Sequence, residues 1–168
     1  YALAEVLVRL GAEVYLVSGP VNLEVPAGIK EVINVQTASE MYAVCKKIYQ
    51  TAHIGILAAA VADYSPAKKA GRKIKSTSRK LSVDLAKTVD IAEALGKMKK
   101  KNQLLVGFAL ETENEVENAT GKLHKKNFDL IVLNTLRDKN AGFGYDTNKI
   151  TMIDRNNKLH KFGLKMKS

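Results

Sequence analysis

The sequence predicts a doubly wound, mostly parallel α/β sheet that ends in a C-terminal β-hairpin. Three observations point to it. Strand-like and helix-like segments alternate along most of the chain, the pattern of a parallel sheet wrapped by crossover helices. Segments 54–62, 104–111 and 128–135 are near-continuous apolar runs, of the kind buried on both faces of such a sheet. The tail changes character: KITMIDRNNKLHKFG reads as two short strands around Asn156-Asn157.

The elements follow in order. In YALAEVLVRLGAEVYLVSG, Leu3, Val6, Leu7 and Leu10 share one helical face, and Gly11 supplies the stop. Glu13 to Val17 reads as a short strand and IKEVINV as another. Thr37 and Glu40 form a T-x-x-E capping box. The helix it opens turns Met41, Val44, Cys45 and Ile48 inward, which makes Cys45 a packing thiol rather than a nucleophile. IGILAAAVA, 54–62, is the first central strand, and LSVDL, 81–85, alternates like an outlying one. Asp90 to Lys99 is a short helix with Ile91, Leu95 and Met98 on one side. After LLVGFALE, a second T-x-x-E box at Thr112 and Glu115 opens a helix. That helix starts acidic (Glu113, Glu115, Glu117) and ends basic (Lys122, Lys125, Lys126), as the helix dipole prefers. FDLIVLNT completes the central strands. In this Rossmann-like arrangement ligands sit beyond the carboxyl ends of the strands. The candidates are therefore Ser18-Gly19, Ala62-Asp63, Phe108 to Thr112, and Asn134-Thr135.

Bulk properties narrow the function. The 168 residues suit one domain with its own core, and a hydrophobic content of 46% reads as globular rather than disordered. No apolar run approaches the ~20 residues of a membrane span, and no signal peptide is visible. The single cysteine makes no internal disulfide, so the expected setting is the reducing cytoplasm, with no membrane partner. A net charge of +10 favours an anionic partner. The lack of tryptophan argues against a stacking platform for single-stranded nucleic acid.

The densest chemistry lies in LAAAVADYSPAKKAGRKIKS, 57–76. Small residues at a strand end let a ligand approach the backbone. Asp63 follows, where it can accept a hydrogen bond or help hold a metal. Lys73 and Lys75 alternate and share a face of an extended segment, and a lysine there neutralises triphosphate charge as a point cation. Composition alone reads the same stretch as a basic surface loop. Lys122 and Lys126, four apart, share a helical face; in isolation they read as a helix end satisfying its dipole. GFGYDTN, 142–148, is glycine-rich but fits neither G-x-G-x-x-G nor the P-loop. His53, His124 and His160 lack metal-ligand spacing.

Taken jointly, these motifs resemble one family. RLGAEVYLVSGPV comes first, then LAAAVADYSP, with KIK ten residues after the aspartate. DIA, VGFALET, the pair Lys122 and Lys126, LIVLN and GFGYDTN follow in that order and spacing. The whole series resembles phosphopantothenoylcysteine synthetase, the ligase of coenzyme A biosynthesis, often fused in bacteria to a flavin-dependent decarboxylase. The resemblance covers essentially the whole chain. It implies that CTP, as co-substrate with Mg²⁺, activates the carboxylate of 4'-phosphopantothenate as an acyl-cytidylate, releasing pyrophosphate. The amino group of L-cysteine then attacks and CMP leaves. FMN enters only if a decarboxylase domain is fused.

By the same resemblance the CTP site comprises Leu57, Ala58, Ala59, Asp63 and Lys73, then Val89, Asp90, Ile91 and Ala92, with Phe108, Lys122 and Lys126. Lys73 is the catalytic cation. Family members usually carry proline where Val89 stands. They are typically homodimers. They begin with a strand, a Gly-Pro-Thr loop and an Asn-x-Ser-Ser-Gly motif ahead of the first helix, and continue into a helix after FGLKMKS. The expectation is thus a single synthetase-like domain over 1–168, truncated at both ends. Two other readings stay open. A nicotinamide-binding Rossmann domain would need a glycine fingerprint after the first strand. A non-catalytic anion- or nucleic-acid-binding domain rests on charge alone.

Overall fold

Residues 1–68, 71–72, 81–135 and 147–166 are described by a computed structural model of the chain. The first helix, α1 (Ala2–Arg9), stops where Gly11 takes a φ of +85° that other residues avoid. Its packing face differs from the expected one. Ala4 is buried and Val8 lies against the Gly28 backbone, whereas Leu3 and Leu10 are exposed. β1 (Tyr15–Ser18) and β2 (Glu31–Asn34) pair in parallel, from Tyr15 opposite Glu31 to Ser18 opposite Asn34. They form a two-stranded sheet of their own. α2 (Ala38–Tyr49) starts as its capping box predicts: the Glu40 amide donates to Thr37 Oγ1 at 3.1 Å, and Glu40 Oε2 accepts from the Gln36 amide at 2.8 Å. Tyr49, which the inward-face reading omitted, is its most buried residue.

β3 (Ile54–Leu57) is shorter than the apolar run 54–62 implies. Ala58 to Ala60 are exposed, and Ile54 is half-exposed, because β3 lies at a sheet edge rather than at its centre. β4 (Tyr64–Pro66) and β5 (Leu85–Lys87) form an antiparallel arm. The expected strand at 81–85 therefore lies further along, starting at Leu85. α3 (Ile91–Met98), β6 (Leu104–Glu111), α4 (Glu115–Lys125) and β7 (Leu130–Thr135) follow as read from the sequence. α4 takes its N-cap two residues after Thr112. The N-cap is Asn114, in the left-handed region at φ 45°, with no side-chain cap bond.

β9 (Ile150–Asp154) and β10 (Leu159–Lys161) make the expected hairpin, with Asn157 at φ 61° in its turn. β8 (Thr147–Asn148) and β11 (Lys165–Met166) add a short antiparallel pair that periodicity did not signal.

The main sheet runs β10-β9-β7-β6-β3. β3, β6 and β7 are parallel, and β9 joins β7 antiparallel. Alternate residues of β6 divide its two faces. Leu105 and Ala109 are buried in one core with Leu95, Ala119, Leu123, Ile131, Leu133 and Ile153, under α2, α3 and α4. Val106 and Phe108 are only half-buried on the other face, and Leu104 and Leu110 are exposed there. The two-face burial expected of LLVGFALE is therefore met on one face only.

Gly107 shows how tightly the helix face is packed. A Cβ at this position would come within 2.4 Å of the Phe128 ring. The start of the sheet is tied by Asp129. Its Oδ2 accepts from the Leu105 amide at 2.7 Å and from Lys99 Nζ at 2.8 Å, and its Oδ1 faces Arg155 Nε at 2.8 Å. Tyr49 donates to the Leu104 carbonyl at 3.3 Å. Burial, with the Asp129 charge nearby, pushes its phenol up to about 12.

Candidate active site

The segments that follow β3 and precede α3 meet at Thr88. Its hydroxyl donates to the Ala62 carbonyl at 2.6 Å, and its amide donates to the Asp63 carbonyl at 2.8 Å. Two stretches that are 26 residues apart, Ala58 to Asp63 and Val89 to Ala92, are thereby clasped together. Leu57 packs against the core, while Ala58, Ala59 and Asp63 are exposed beyond the strand end.

Asp90 is the N-cap of α3: its Oδ1 accepts from the Glu93 amide at 3.0 Å. Its Oδ2 meets Lys126 Nζ at 2.9 Å. Ile91 is buried and Ala92 packs on the core, so what these two offer a ligand is backbone N–H at a helix start rather than side chain. Val89 is exposed.

Asp90 has a measurable consequence. Burial raises its pKa, but the Glu93 amide and the Lys126 ammonium outweigh burial and hold it below the ordinary value of 3.8. A carboxylate depressed on folding stabilises the native state above its unfolded pKa, and that support is lost as the pH falls through the folded pKa. Asp90→Asn, which can still cap, should cost about 0.5–1 kcal/mol near neutrality. The deficit should shrink below about pH 4. Denaturant midpoints of the two proteins from pH 7 to pH 2 test this; a deficit constant across that range would rule out the ion pair as its source.

Lys122 sits one turn before Lys126, and its Nζ lies 2.5 Å from Glu111 Oε1. Both lysines therefore meet carboxylates, a pattern not visible in the sequence. Phe108 is on the opposite face of β6 from Ala109 and α4, so its side chain does not join the two lysines. Lys73 and Lys75 lie outside the described residues, as does most of GFGYDTN. Ser18, one of the strand-end candidates, is buried; its hydroxyl bonds Tyr1 and the Gly19 carbonyl. Cys45 is half-buried against the core with its thiol pKa raised by burial, in keeping with a packing role. Thr88 is the residue that sequence reading missed, having no motif of its own. Glu111 fell within the strand-end candidates Phe108 to Thr112, but nothing in the sequence signalled its pairing with Lys122.

A sheet parallel across β3, β6 and β7, with its clasped segments and helix start gathered after the strands, defines an α/β domain of the Rossmann-like class. The chain belongs to the family described as "DNA/pantothenate metabolism flavoprotein C-terminal domain", which matches residues 1–168. It is 52% identical over 166 residues to a "Cysteine/Cysteine sulfinic acid decarboxylase" from an unknown prokaryotic organism, covering 99% of this chain and 46% of that protein. It is 46% identical over 153 residues to the "Coenzyme A biosynthesis bifunctional protein CoaBC" of Bacillus subtilis (strain 168), covering 91% of this chain and 37% of that protein. The chain thus spans less than half the length of these relatives. Among solved structures, the C-terminal domain of a coenzyme A biosynthesis bifunctional protein CoaBC superposes with a TM-score of 0.81 at 38% identity, over 99% of this chain and 73% of that one.

Proposed function

We propose that this chain is the domain that ligates 4'-phosphopantothenate to L-cysteine in coenzyme A biosynthesis, using CTP and Mg²⁺ through an acyl-cytidylate. The observation that carries the reading is the Thr88 clasp. It brings the exposed turn at Ala58 to Asp63 against the Asp90 helix start, where Lys126 is also held. Backbone amides at a helix start and a neighbouring lysine suit a phosphate-bearing ligand. Likeness to the coenzyme A biosynthesis proteins supports the same assignment. The decarboxylase name describes a protein more than half of which lies outside the match.

In this reading the nucleotide meets Leu57, Ala58, Ala59 and Asp63, the segment Val89 to Ala92, Phe108, Lys122 and Lys126, with Lys73 on the phosphates. Asp63 supplies a hard oxygen ligand fit for Mg²⁺. Among the described residues no group of three or more metal-ligating side chains occurs. The chemistry the cation would supply there is neutralisation of phosphate charge. The protein's own part is to position the substrates and offset charge. The reading includes a homodimer in the cytoplasm. Among the described residues, no helix is long and apolar enough to cross a membrane.

Thermal or denaturant stability with ligand tests the assignment in the complete polypeptide. CTP–Mg²⁺ at about 100 times its dissociation constant should add about 2.7 kcal/mol. A protein that ignores CTP but is stabilised by NAD would instead be a nicotinamide-binding domain. One that binds duplex DNA with a steep salt dependence and no nucleotide selectivity would be a nucleic-acid binder.

A further inference from the structure

We propose that Glu111 is the positioning residue for Lys122 in the nucleotide site; this rests on the ligase reading above. Glu111 closes β6 and continues the alternation of Leu105 and Ala109, so its side chain is on the α4 face. The Glu111 side chain is 11% exposed, while the Lys122 side chain it meets at 2.5 Å is 46% exposed. The burial is lopsided. The acid keeps much less of its side chain open to water than the cation does.

A charge held this way is poor value for stability alone. Burying a carboxylate is costly, and replacing an ion pair by two apolar residues of similar volume is often neutral or better. The comparison with Asp90 sharpens the point. Asp90 pairs with Lys126, but it also caps α3, so its charge has a structural task. For Glu111, among the described residues, the side-chain hydrogen bond is the one to Lys122.

What Glu111 does provide is order. A lysine head on a four-carbon stem carries considerable rotamer freedom. Immobilising such a side chain on binding costs about 0.5–1.5 kcal/mol. Glu111 fixes one N–H of Lys122 beforehand, leaving the remaining donors for an incoming acceptor. The place suits that role. β3 ends at Leu57, level with Gly107, while β6 runs on four residues to Glu111 beside β7. Glu111 and Lys122 thus stand at the carboxyl edge of the sheet, where α/β proteins bind ligands.

The test is calorimetric titration of CTP–Mg²⁺ into the complete polypeptide and its Glu111→Gln, Lys122→Met and doubly substituted variants. Glu111→Gln should weaken CTP binding about three- to tenfold. The same change made on the Lys122→Met background should weaken it no further, because the residue it positions is gone. Glu111→Asp should restore part of the loss. Unaltered CTP affinity in Glu111→Gln, alongside a weakened Lys122→Met, overturns the positioning role and leaves the nucleotide site standing. Equal losses from Glu111→Gln on both backgrounds also overturn it, since they mark a general structural effect. Unaltered affinity in Lys122→Met removes the lysine from the site and the proposal with it. Should Glu111→Gln fold poorly, the Glu111→Leu, Lys122→Met pair replaces both charges with apolar groups and is compared with Lys122→Met alone. Matching affinities support the proposal, and a further loss refutes it.

Discussion

Asp129→Ala should destabilise the domain by about 3–5 kcal/mol, the cost of breaking a buried ion pair from one side. The Lys99 side chain is 6% exposed and that of Asp129 is 18% exposed, so the substitution leaves a nearly buried ammonium with the Asn127 carbonyl as acceptor but no counter-charge. It also removes the acceptor of the Leu105 amide, at the start of β6, and the carboxylate that faces Arg155 from the hairpin turn. The end of α3, the start of β6 and the hairpin turn lose a common anchor. Against a typical total of about 5–15 kcal/mol, the loss is a large fraction. Urea denaturation should show a lowered midpoint, and adding Lys99→Met should recover part of it because the stranded charge is then gone. A loss below about 1 kcal/mol, the range of a surface pair, would mean that Lys99 finds water or another partner.

Lys73→Gln should slow CTP-dependent pyrophosphate release by about 10²–10³-fold, the scale of removing one preorganised donor from developing charge. The reading assigns Lys73 to the phosphates at the acyl-cytidylate step, where negative charge collects on the leaving pyrophosphate. The residue lies outside the described part of the structure, so the expectation rests on its place ten residues after Asp63 in a family pattern. Lys68→Gln is the control, because the pattern gives Lys68 no role and its effect should be small. Both variants should melt like the parent protein. Pyrophosphate release at the parental rate from Lys73→Gln would remove that lysine from the mechanism.

The order of elements was legible because period and punctuation agree locally. The Thr37–Glu40 box, Gly11 and the Asn156-Asn157 turn each act within a few residues, and each stands where the pattern put it. The misses are tertiary. Residues 54–62 read as one buried strand because apolar composition does not reveal whether neighbours exist on both sides. Strand β3 ends at Leu57, and the alanines after it instead form the approach to the clasp at Thr88. Thr112 matched a capping pattern, yet Asn114, able to adopt a left-handed conformation, took the cap position. In the candidate site, the lysines were visible as cations on one helix face. Their partners Glu111 and Asp90 come from other elements, which spacing within a helix cannot encode. Phe108 illustrates the converse: adjacent in the motif series, its side chain ends on the far face of the sheet.

The separate pairing of β1 with β2 has a dynamic consequence. Two strands alone form a marginal unit, whereas β7 is bonded along both edges, to β6 and β9. Opening in this domain should therefore be graded rather than all-or-none. The amides of β1 and β2 exchange with solvent through local excursions, while those of β6 and β7 wait for global unfolding. A ligand seated along the carboxyl edge of the main sheet would slow exchange there only by raising the global barrier. One that reached across to Gly19 or Asn34 would show itself directly, by quieting a part of the protein that otherwise breathes.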